Sequence, residues 1–384
     1  MRIKKIPNKP YLDYYSKHNI SPVINEVDWN LHMVQRKSLY NRLGIIDCCI
    51  KGKNVLEFGP GNGANALYTL SMLPQQYVLV DANPKGIKNC KENLSKFYPK
   101  GNWMLVDSLI EEYESGNKFD VVICECLLPQ QTNPSEIARH CSSFLDSGGI
   151  FVATCHDMVS TVSETLRSLP GWLLAKNNVT FDDKVKSLSN FYHGHLSHLK
   201  GMTRSYDDWV IDNVLHKEFW QDSKLFSIEQ AIDALKDDFI VYATCPTFLQ
   251  DWSWYKSVKN VKNHFNESMK ESYWENVHNL IDWRISCAPK FVSENRDLYE
   301  LCSKIRYSVR DAAEEDSAIG ILIERCQKLS DTLPEEYSLT KTALESYIGG
   351  LKFYKENGKI NFKLLEEFGA WWGRGLQYVS FIKN

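Results

Sequence analysis

Several features that mark membrane, nucleic-acid and zinc proteins are missing from this sequence. No stretch approaches the roughly 18 consecutive apolar residues that span a bilayer, and the first fifteen residues lack the apolar run of a secretory signal. No dense run of Lys and Arg creates a basic face, and the formal net charge is −3, so nothing favours binding to a polyanion. The eleven cysteines contain no CxxC pair, which favours free thiols in a reducing compartment. We therefore expect a cytoplasmic protein that binds neither membranes nor nucleic acids.

Length and composition predict more than one structural unit. The chain has 384 residues, of which 43% are hydrophobic and 24% charged, an ordinary globular composition. A single hydrophobic core usually stops growing below this size. From the changes in pattern we predict an N-terminal helical segment over 1–52, an α/β domain over 53–255 with an inserted lid segment at 158–224, and a C-terminal helical domain over 256–384.

Short apolar runs alternate with helical stretches from residue 53 onward. Strands that alternate with helices of this length are typical of βαβ units and a mostly parallel sheet. The sequence therefore predicts an α/β fold, a Rossmann-like, doubly wound, mostly parallel sheet of seven strands, with an additional C-terminal helical region. The strands that we assign are Lys53–Phe58, Tyr77–Val80, Trp103–Val106, Phe119–Cys124, Ile150–Thr154 and Phe239–Ala243, and we predict only helices from about Tyr255 to the end.

Two patterns outside these strands concern burial. Residues 29–43 predict a helix whose apolar stripe is interrupted by Arg36. Aromatic residues are dense after the fifth strand, and we expect most of them to be core, although sugar sites also use aromatic faces. The aromatic residues in question include Trp209, Trp252, Trp254 and Tyr255.

The most informative segment runs from Val55 to Ala64 and reads VLEFGPGNGA. A buried strand enters a glycine-dense turn and then a helix. Glycines allow positive φ and let a ligand approach the main chain closely, and the free N–H groups of the first helical turn point into the same crevice. This segment predicts a binding loop for a nucleotide-like cofactor.

Three interpretations of the loop compete. A dinucleotide site needs G-x-G-x-x-G/A and an acid about 20 residues on, and Gly59, Gly61, Ala64 and Asp81 satisfy that wording. A turn with a purely structural role is the second interpretation. The third depends on Glu57, two residues before the first glycine: a carboxylate there repels a pyrophosphate but suits the ammonium of an aminoacyl group. Glu57 favours a ligand with a cationic amino acid at one end and a ribose at the other.

Over about residues 53–155 the sequence resembles class I S-adenosylmethionine-dependent methyltransferases. The glycine segment is similar to their first motif, Asp81 to the acid that holds both ribose hydroxyls, and Asp107-Ser108 to the position beside the adenine amino group. The run FDVVICE, ending at Glu125, is similar to the fourth motif, whose strand end lies near the sulfonium. The resemblance implies S-adenosyl-L-methionine as cofactor. The cofactor-binding residues that it implies are Glu57, Phe58, Gly59, Gly61, Gly63, Asp81, Ala82, Asp107, Ser108 and Glu125.

The later part of the chain resembles bacterial methyltransferases of surface-polysaccharide gene clusters. The segments concerned are GMTRSYDDW from Gly201, DWSWYK from Asp251 and WGRGLQY from Trp372. This resemblance implies a small-molecule acceptor such as a sugar or sugar nucleotide.

Candidates for the chemistry follow the fourth and fifth strands and occupy the inserted segment. An oxygen acceptor needs a general base, usually His near neutral pH, whereas an amine needs only a carboxylate or carbonyl to orient it. The candidates are His156, His193, His195, His198, Glu125 and Arg204, the last as an anion clamp or as the structural partner of Asp207 or Asp208. Three His within six residues also allow a metal site, but their spacing fits no recognised zinc pattern, and we predict no metal.

These residues predict methyl transfer to a small-molecule hydroxyl with a His base, and two alternatives stay open. One is an N-methyltransferase that acts on an amine of a small molecule or a protein. The other is a methyltransferase-like fold that acts as a non-catalytic binding module.

Overall fold

The computed structural model describes residues 10–21, 28–199, 202, 204–216 and 225–384. Positions 200, 201, 203 and 217–224 of the predicted lid segment lie outside the described residues. The chain divides into two compact units. The sheet unit contains the described residues up to His156, those from 225 to Tyr273, and Leu376–Asn384; the helical unit contains those from Asp157 to His216 and Trp274–Gly375.

The sheet unit is built on seven strands in the order β3-β2-β1-β4-β5-β7-β6. The first five strands run parallel to one another, while β7 is antiparallel to both β5 and β6. The prediction of a mostly parallel, Rossmann-like sheet of seven strands is confirmed. The strands are β1 (Asn54–Phe58), β2 (Gln76–Asp81), β3 (Trp103–Asp107), β4 (Phe119–Cys124), β5 (Leu145–Cys155), β6 (Phe239–Cys245) and β7 (Gln377–Lys383).

Burial of both sheet faces explains why the strands read as continuous apolar runs. Val55, Leu56 and Phe58 of β1 have no exposed surface, as expected for a parallel sheet covered on both sides. One face packs against residues such as Tyr40 and Leu67 in a single hydrophobic cluster. The helices of this unit are α1 (Pro10–His18), α2 (Trp29–Arg42), α3 (Asp47–Ile50), α4 (Ala64–Ser71), α5 (Pro84–Phe97), α6 (Pro134–Ser142) and α10 (Ile228–Leu235).

Local capping fixes where two of these helices begin. The Asp28 carboxylate accepts hydrogen bonds from two N–H groups of the first turn of α2. The Asn83 side chain does the same for α5, and Pro84 occupies the first helical position, where its missing N–H costs nothing. The Asn83 cap places the start of α5 directly after the end of β2 at Asp81.

The helical unit contains α7 (Val162–Ala175), α8 (Phe181–Leu196), α9 (Tyr206–Val210), α12 (Val292–Glu314), α13 (Ile319–Thr332), α14 (Ser338–Asn357) and α15 (Glu366–Gly369). The division between the units falls within α11 (Val261–Asn276). The helical C-terminal region that the sequence predicted is present. In the part of the chain that the structure describes, no helix is both long enough and apolar enough to cross a bilayer.

The prediction of helices from Tyr255 to the end is wrong for the last residues. Gln377–Lys383 forms β7, which inserts between β5 and β6 and supplies the seventh strand of the sheet. The segment is short, and Val379, Ser380 and Phe381 are all buried, so it shows no alternation that marks a half-exposed strand. The strand also lies far along the chain from its partners, which no local pattern reveals.

Candidate functional site

The glycine loop joins β1 to α4 at the carboxyl edge of the sheet. Gly59, Gly61 and Gly63 all have positive φ, at 71°, 56° and 77°, a conformation that only glycine adopts without strain. A Cβ on Gly63 would come within 2.8 Å of the Cys90 Sγ, whereas a Cβ on Gly61 would meet nothing within 4 Å. Gly63 is therefore required by packing, and Gly61 faces open space.

Glu57 lies at the end of β1, just below this loop. Its side chain is buried, and it accepts a hydrogen bond from the Tyr77 hydroxyl of the neighbouring strand β2. Burial raises the pKa of the Glu57 carboxyl to about 7, and the Tyr77 hydrogen bond opposes that rise. A buried carboxyl with one partner is suited to receive a cationic group.

Asp81 ends β2, the strand on the other side of β1 from β4. One carboxylate oxygen accepts a hydrogen bond from the Gly61 N–H at 3.2 Å, and the other accepts one from the Asn83 N–H at 2.8 Å. Burial raises the pKa of this carboxyl. The half-buried Ala82 follows directly. Asp81 thus borders the glycine loop and holds it.

Phe58 and the end of β3 contribute differently. The Phe58 ring is buried against Tyr113 and Phe144, so packing occupies its side chain. At the end of β3, Asp107 is exposed, and the Ser108 N–H donates to the Asp81 carbonyl oxygen at 3.0 Å. The strand ends that the sequence analysis named are therefore adjacent in space, in the order β3, β2, β1.

Glu125 follows β4 and has a partner that the sequence analysis missed. Both of its oxygens accept from the Arg36 guanidinium of α2, at 2.7 and 2.8 Å, and Asn65 of α4 donates to Oε2 at 3.2 Å. Arg36 is the residue that interrupts the apolar stripe of that helix, and this interruption was the available signal. A charged residue on a buried face needs a buried partner of opposite charge.

His156 follows β5 at the same edge of the sheet. It is half-buried, and its backbone pairs with Phe226 in an antiparallel bridge. The next residue, Asp157, begins the helical unit, and its carboxylate accepts from the N–H groups of Val159 and Ser160, both at 2.8 Å. Asp157 is thus engaged by its own turn.

The remaining predicted residues belong to the helical unit. His195 is buried, the Arg167 Nε donates to its Nδ1 at 3.3 Å, and burial together with the Arg167 charge lowers its pKa to about 3. His193 and His198 are exposed. Arg204 forms an ion pair with Asp212 at 2.5 Å, a partner that the sequence analysis did not name.

The roles of these four residues, and that of the lid segment, stay predictions. A His with a pKa near 3 is a weak proton acceptor at neutral pH, so His195 is a poor candidate for the general base. Nowhere in the described ranges do three or more His, Cys, Asp or Glu side chains come close enough to hold a metal ion.

Comparisons with known proteins agree with this geometry. Residues 50–282, more than half of the chain, match a family model described as a methyltransferase domain. The chain is 26% identical over 165 residues to malonyl-[acyl-carrier protein] O-methyltransferase 2 of Ilyobacter polytropus; the match covers 42% of this chain and 62% of the length of that relative.

Solved structures are also similar in part. The N-methyltransferase NodS from Bradyrhizobium japonicum, with bound S-adenosyl-L-homocysteine, aligns with a TM-score of 0.31 and 15% identity over 39% of this chain and 74% of that chain. Magnesium protoporphyrin IX methyltransferase from Synechocystis, with bound S-adenosylmethionine, aligns with a TM-score of 0.31 and 17% identity over 40% of this chain and 79% of that chain.

The family match begins just before β1 and includes the glycine loop, Glu57, Asp81 and the ends of β3, β4 and β5. The chain therefore belongs to the methyltransferase-domain family, whose cofactor is S-adenosylmethionine.

Proposed function

We propose that this protein binds S-adenosylmethionine at the carboxyl edge of the sheet and transfers its methyl group to an oxygen of a small-molecule acceptor. The observation that carries the proposal is the glycine loop, which is open at Gly61 and lies between the carboxylates of Glu57 and Asp81. Ligands of such sheets bind beyond the carboxyl ends of the strands.

The residues present fit the cofactor. The buried Glu57 carboxylate is suited to the ammonium of its amino acid, and Asp81 is suited to the ribose hydroxyls. The Gly61 N–H donates to Asp81 at 3.2 Å, so the loop and this carboxylate border the same crevice. The cofactor supplies an already activated methyl group on a sulfonium, so positioning of the acceptor provides much of the acceleration.

An oxygen acceptor fits the end of β4 better than an amine does. An amine acceptor needs a free carboxylate or carbonyl to orient it, and Glu125 already accepts two hydrogen bonds from Arg36 and one from Asn65. An oxygen acceptor needs a base, and His156 at the end of β5 is the described His nearest along the chain to the strand ends. The relative from Ilyobacter polytropus is itself named as an O-methyltransferase.

A sugar or sugar nucleotide is the acceptor that we favour. Since β5 and β6 are both antiparallel to β7, β6 ends at the same edge of the sheet as β5. The segment that follows β6 exposes Trp252, Trp254 and Tyr255, at 92%, 65% and 74% of their surface. The expectation that these three residues are core is therefore wrong. Exposed apolar patches often mark binding grooves, and flat aromatic faces suit the apolar face of a sugar ring.

The experiment is a methyl-transfer assay with the purified full chain and S-adenosylmethionine labelled in its methyl group. The acceptors offered are a set of sugar nucleotides, a set of small amines and a malonyl thioester, and mass spectrometry locates the methyl group. The proposal predicts transfer to a sugar hydroxyl. Transfer to an amine refutes the oxygen acceptor, and cofactor binding without any transfer favours the non-catalytic alternative.

A variant pair tests the base. His156→Asn should lower turnover about 100-fold or more while leaving cofactor affinity unchanged, because loss of a general base typically costs 10²–10⁴-fold. The wild-type rate should fall at acid pH, because a protonated imidazole cannot accept the proton of the acceptor. His278→Asn is the matched control: His278 follows no strand of the sheet and binds the Ala288 carbonyl oxygen within the helical unit. Equal rates for both variants would rule out His156 as the base.

A further inference from the structure

The buried ion pair between Arg36 and Glu125 lies partly outside the methyltransferase-domain match. Arg36 belongs to α2, whereas the match begins at residue 50. The two side chains are only 7% and 4% exposed and meet through two parallel hydrogen bonds. The Arg36 guanidinium also lies over the Tyr40 ring, 4.9 Å from its centroid. The pair is therefore rigid, desolvated and neutral as a whole.

The pair borders the proposed cofactor crevice. Glu125 directly follows β4, which pairs with β1 through Glu57 and Ile123. Asn65, which donates to Glu125, lies in the first turn of α4 after the glycine loop. A Cβ on Gly59 would lie 3.1 Å from the Leu127 side chain. Residues 125–127 thus form one side of the glycine loop, on the far side of β1 from Asp81.

A charge beside the glycine loop affects methyl transfer because the sulfonium loses its positive charge in the reaction. The S–CH₃ bond breaks with its electron pair left on sulfur, the methyl group bonds to the acceptor oxygen, and the hydroxyl proton passes to the base. A bare carboxylate beside the sulfonium would stabilise the reactant more than the transition state, which slows the reaction. A bare guanidinium would repel the cofactor. A neutral pair avoids both effects.

We propose that Arg36 is a positioning residue that neutralises Glu125 at the side of the cofactor crevice, so that the pair sets how strongly the site discriminates between S-adenosylmethionine and S-adenosylhomocysteine, the product that lacks the sulfonium charge. Helix α2 is then part of the cofactor site. This inference rests on the proposed function, because it requires the cofactor to bind at the glycine loop. Its test needs no methyl acceptor.

The experiment measures the dissociation constants of both ligands by isothermal titration calorimetry and compares their ratio. In Glu125→Gln the guanidinium loses its counter-charge, so the affinity for S-adenosylmethionine should fall about tenfold or more relative to that for S-adenosylhomocysteine. In Arg36→Met the carboxylate of Glu125 is left without its counter-charge, so the affinity for S-adenosylmethionine should rise about tenfold relative to that for S-adenosylhomocysteine. Two unit charges within about 10 Å of each other, at an effective dielectric constant of about 20, interact strongly enough for such factors.

The double variant Arg36→Met/Glu125→Gln keeps the test valid if Arg36→Met alone does not fold. It contains no buried charge from the pair, so it should fold and return the ratio to within about threefold of the wild type. Asp120→Asn is the matched control: this carboxylate lies at the opposite end of β4 and pairs with Lys53 at 3.0 Å. It should leave the ratio unchanged.

The outcomes separate the possible roles. Opposite shifts in the two single variants, cancelled in the double variant, support the proposal. An equal loss of both ligands, or an unchanged ratio in every variant, shows that the pair is merely structural and overturns the inference while leaving the proposed function intact. If the wild-type protein binds neither ligand, the proposed function fails and this inference fails with it.

Discussion

The affinity for S-adenosylmethionine should fall as the pH falls below 7, because of Glu57. Burial raises the pKa of this carboxyl to about 7, so below pH 7 the free protein holds it mostly protonated. An ammonium group favours the ionised carboxylate. Binding must then release a proton, and the cost of that release grows as the pH falls. Affinity for the cofactor is therefore lost as the pH falls through the raised pKa of Glu57 in the ligand-free protein, and it is fully present above that pKa.

The magnitude follows from the pKa alone. With a single group of pKa about 7, the apparent dissociation constant should rise about 25-fold between pH 7.5 and pH 5.5, close to 2 kcal/mol. Other charged groups that influence Glu57 are Arg36, Glu125 and Asp81, and Tyr77 donates to it. At pH 7 about half a proton should leave the protein for each cofactor bound.

The assay is isothermal titration calorimetry from pH 5.5 to 7.5, in buffers with different enthalpies of ionisation so that proton release is counted directly. Glu57→Gln should weaken binding but remove the pH dependence. The Tyr77 hydrogen bond lowers the pKa of Glu57. Tyr77→Phe should therefore raise that pKa, and the affinity for the cofactor should begin to fall at a higher pH. An affinity that is constant over this range, with no proton released, would refute the assignment of Glu57 as the carboxylate that receives the ammonium.

Two further predictions concern the loop and the last strand. Gly61→Val should abolish cofactor binding while most of the fold is retained, because the valine side chain enters the open crevice. Gly63→Ala should instead lower the melting temperature, because its Cβ meets Cys90. Titration calorimetry measures the first effect and thermal melts the second, and a Gly61→Val protein that binds the cofactor normally contradicts the proposed site. Phe381→Ala in β7 should cost about 3–5 kcal/mol of unfolding free energy, measured by urea denaturation, whereas Leu376→Ala, which is 47% exposed, should cost under about 1 kcal/mol. Similar losses in both would show that β7 is not part of the core.

The sheet was predictable where a local pattern carries the structure. A buried strand followed by glycines and a helix needs only about ten consecutive residues to be recognised, and the Glu57–Gly63 segment has that form. The strand ends at Asp81 and Asp107 follow from the same alternation of strands and helices. These residues are adjacent because parallel strands bring their carboxyl ends to one edge.

Features that depend on distant residues were not predictable from the sequence. β7 joins the sheet 222 residues after the end of β5, and its burial on both sides removes the usual strand pattern. The partner of Arg36 is 89 residues away, and the sequence showed only that a charge interrupts an apolar stripe. The ion pair of Arg204 with Asp212, eight residues along the chain, was also not among the pairs that the sequence suggested.

The most direct test of the proposed cofactor site is a crystal structure of the protein with S-adenosylhomocysteine. We predict the ligand in the crevice at Gly61, with its ammonium bound by Glu57 and its ribose hydroxyls bound by Asp81. A ligand bound elsewhere, or no ligand at saturating concentration, would contradict it.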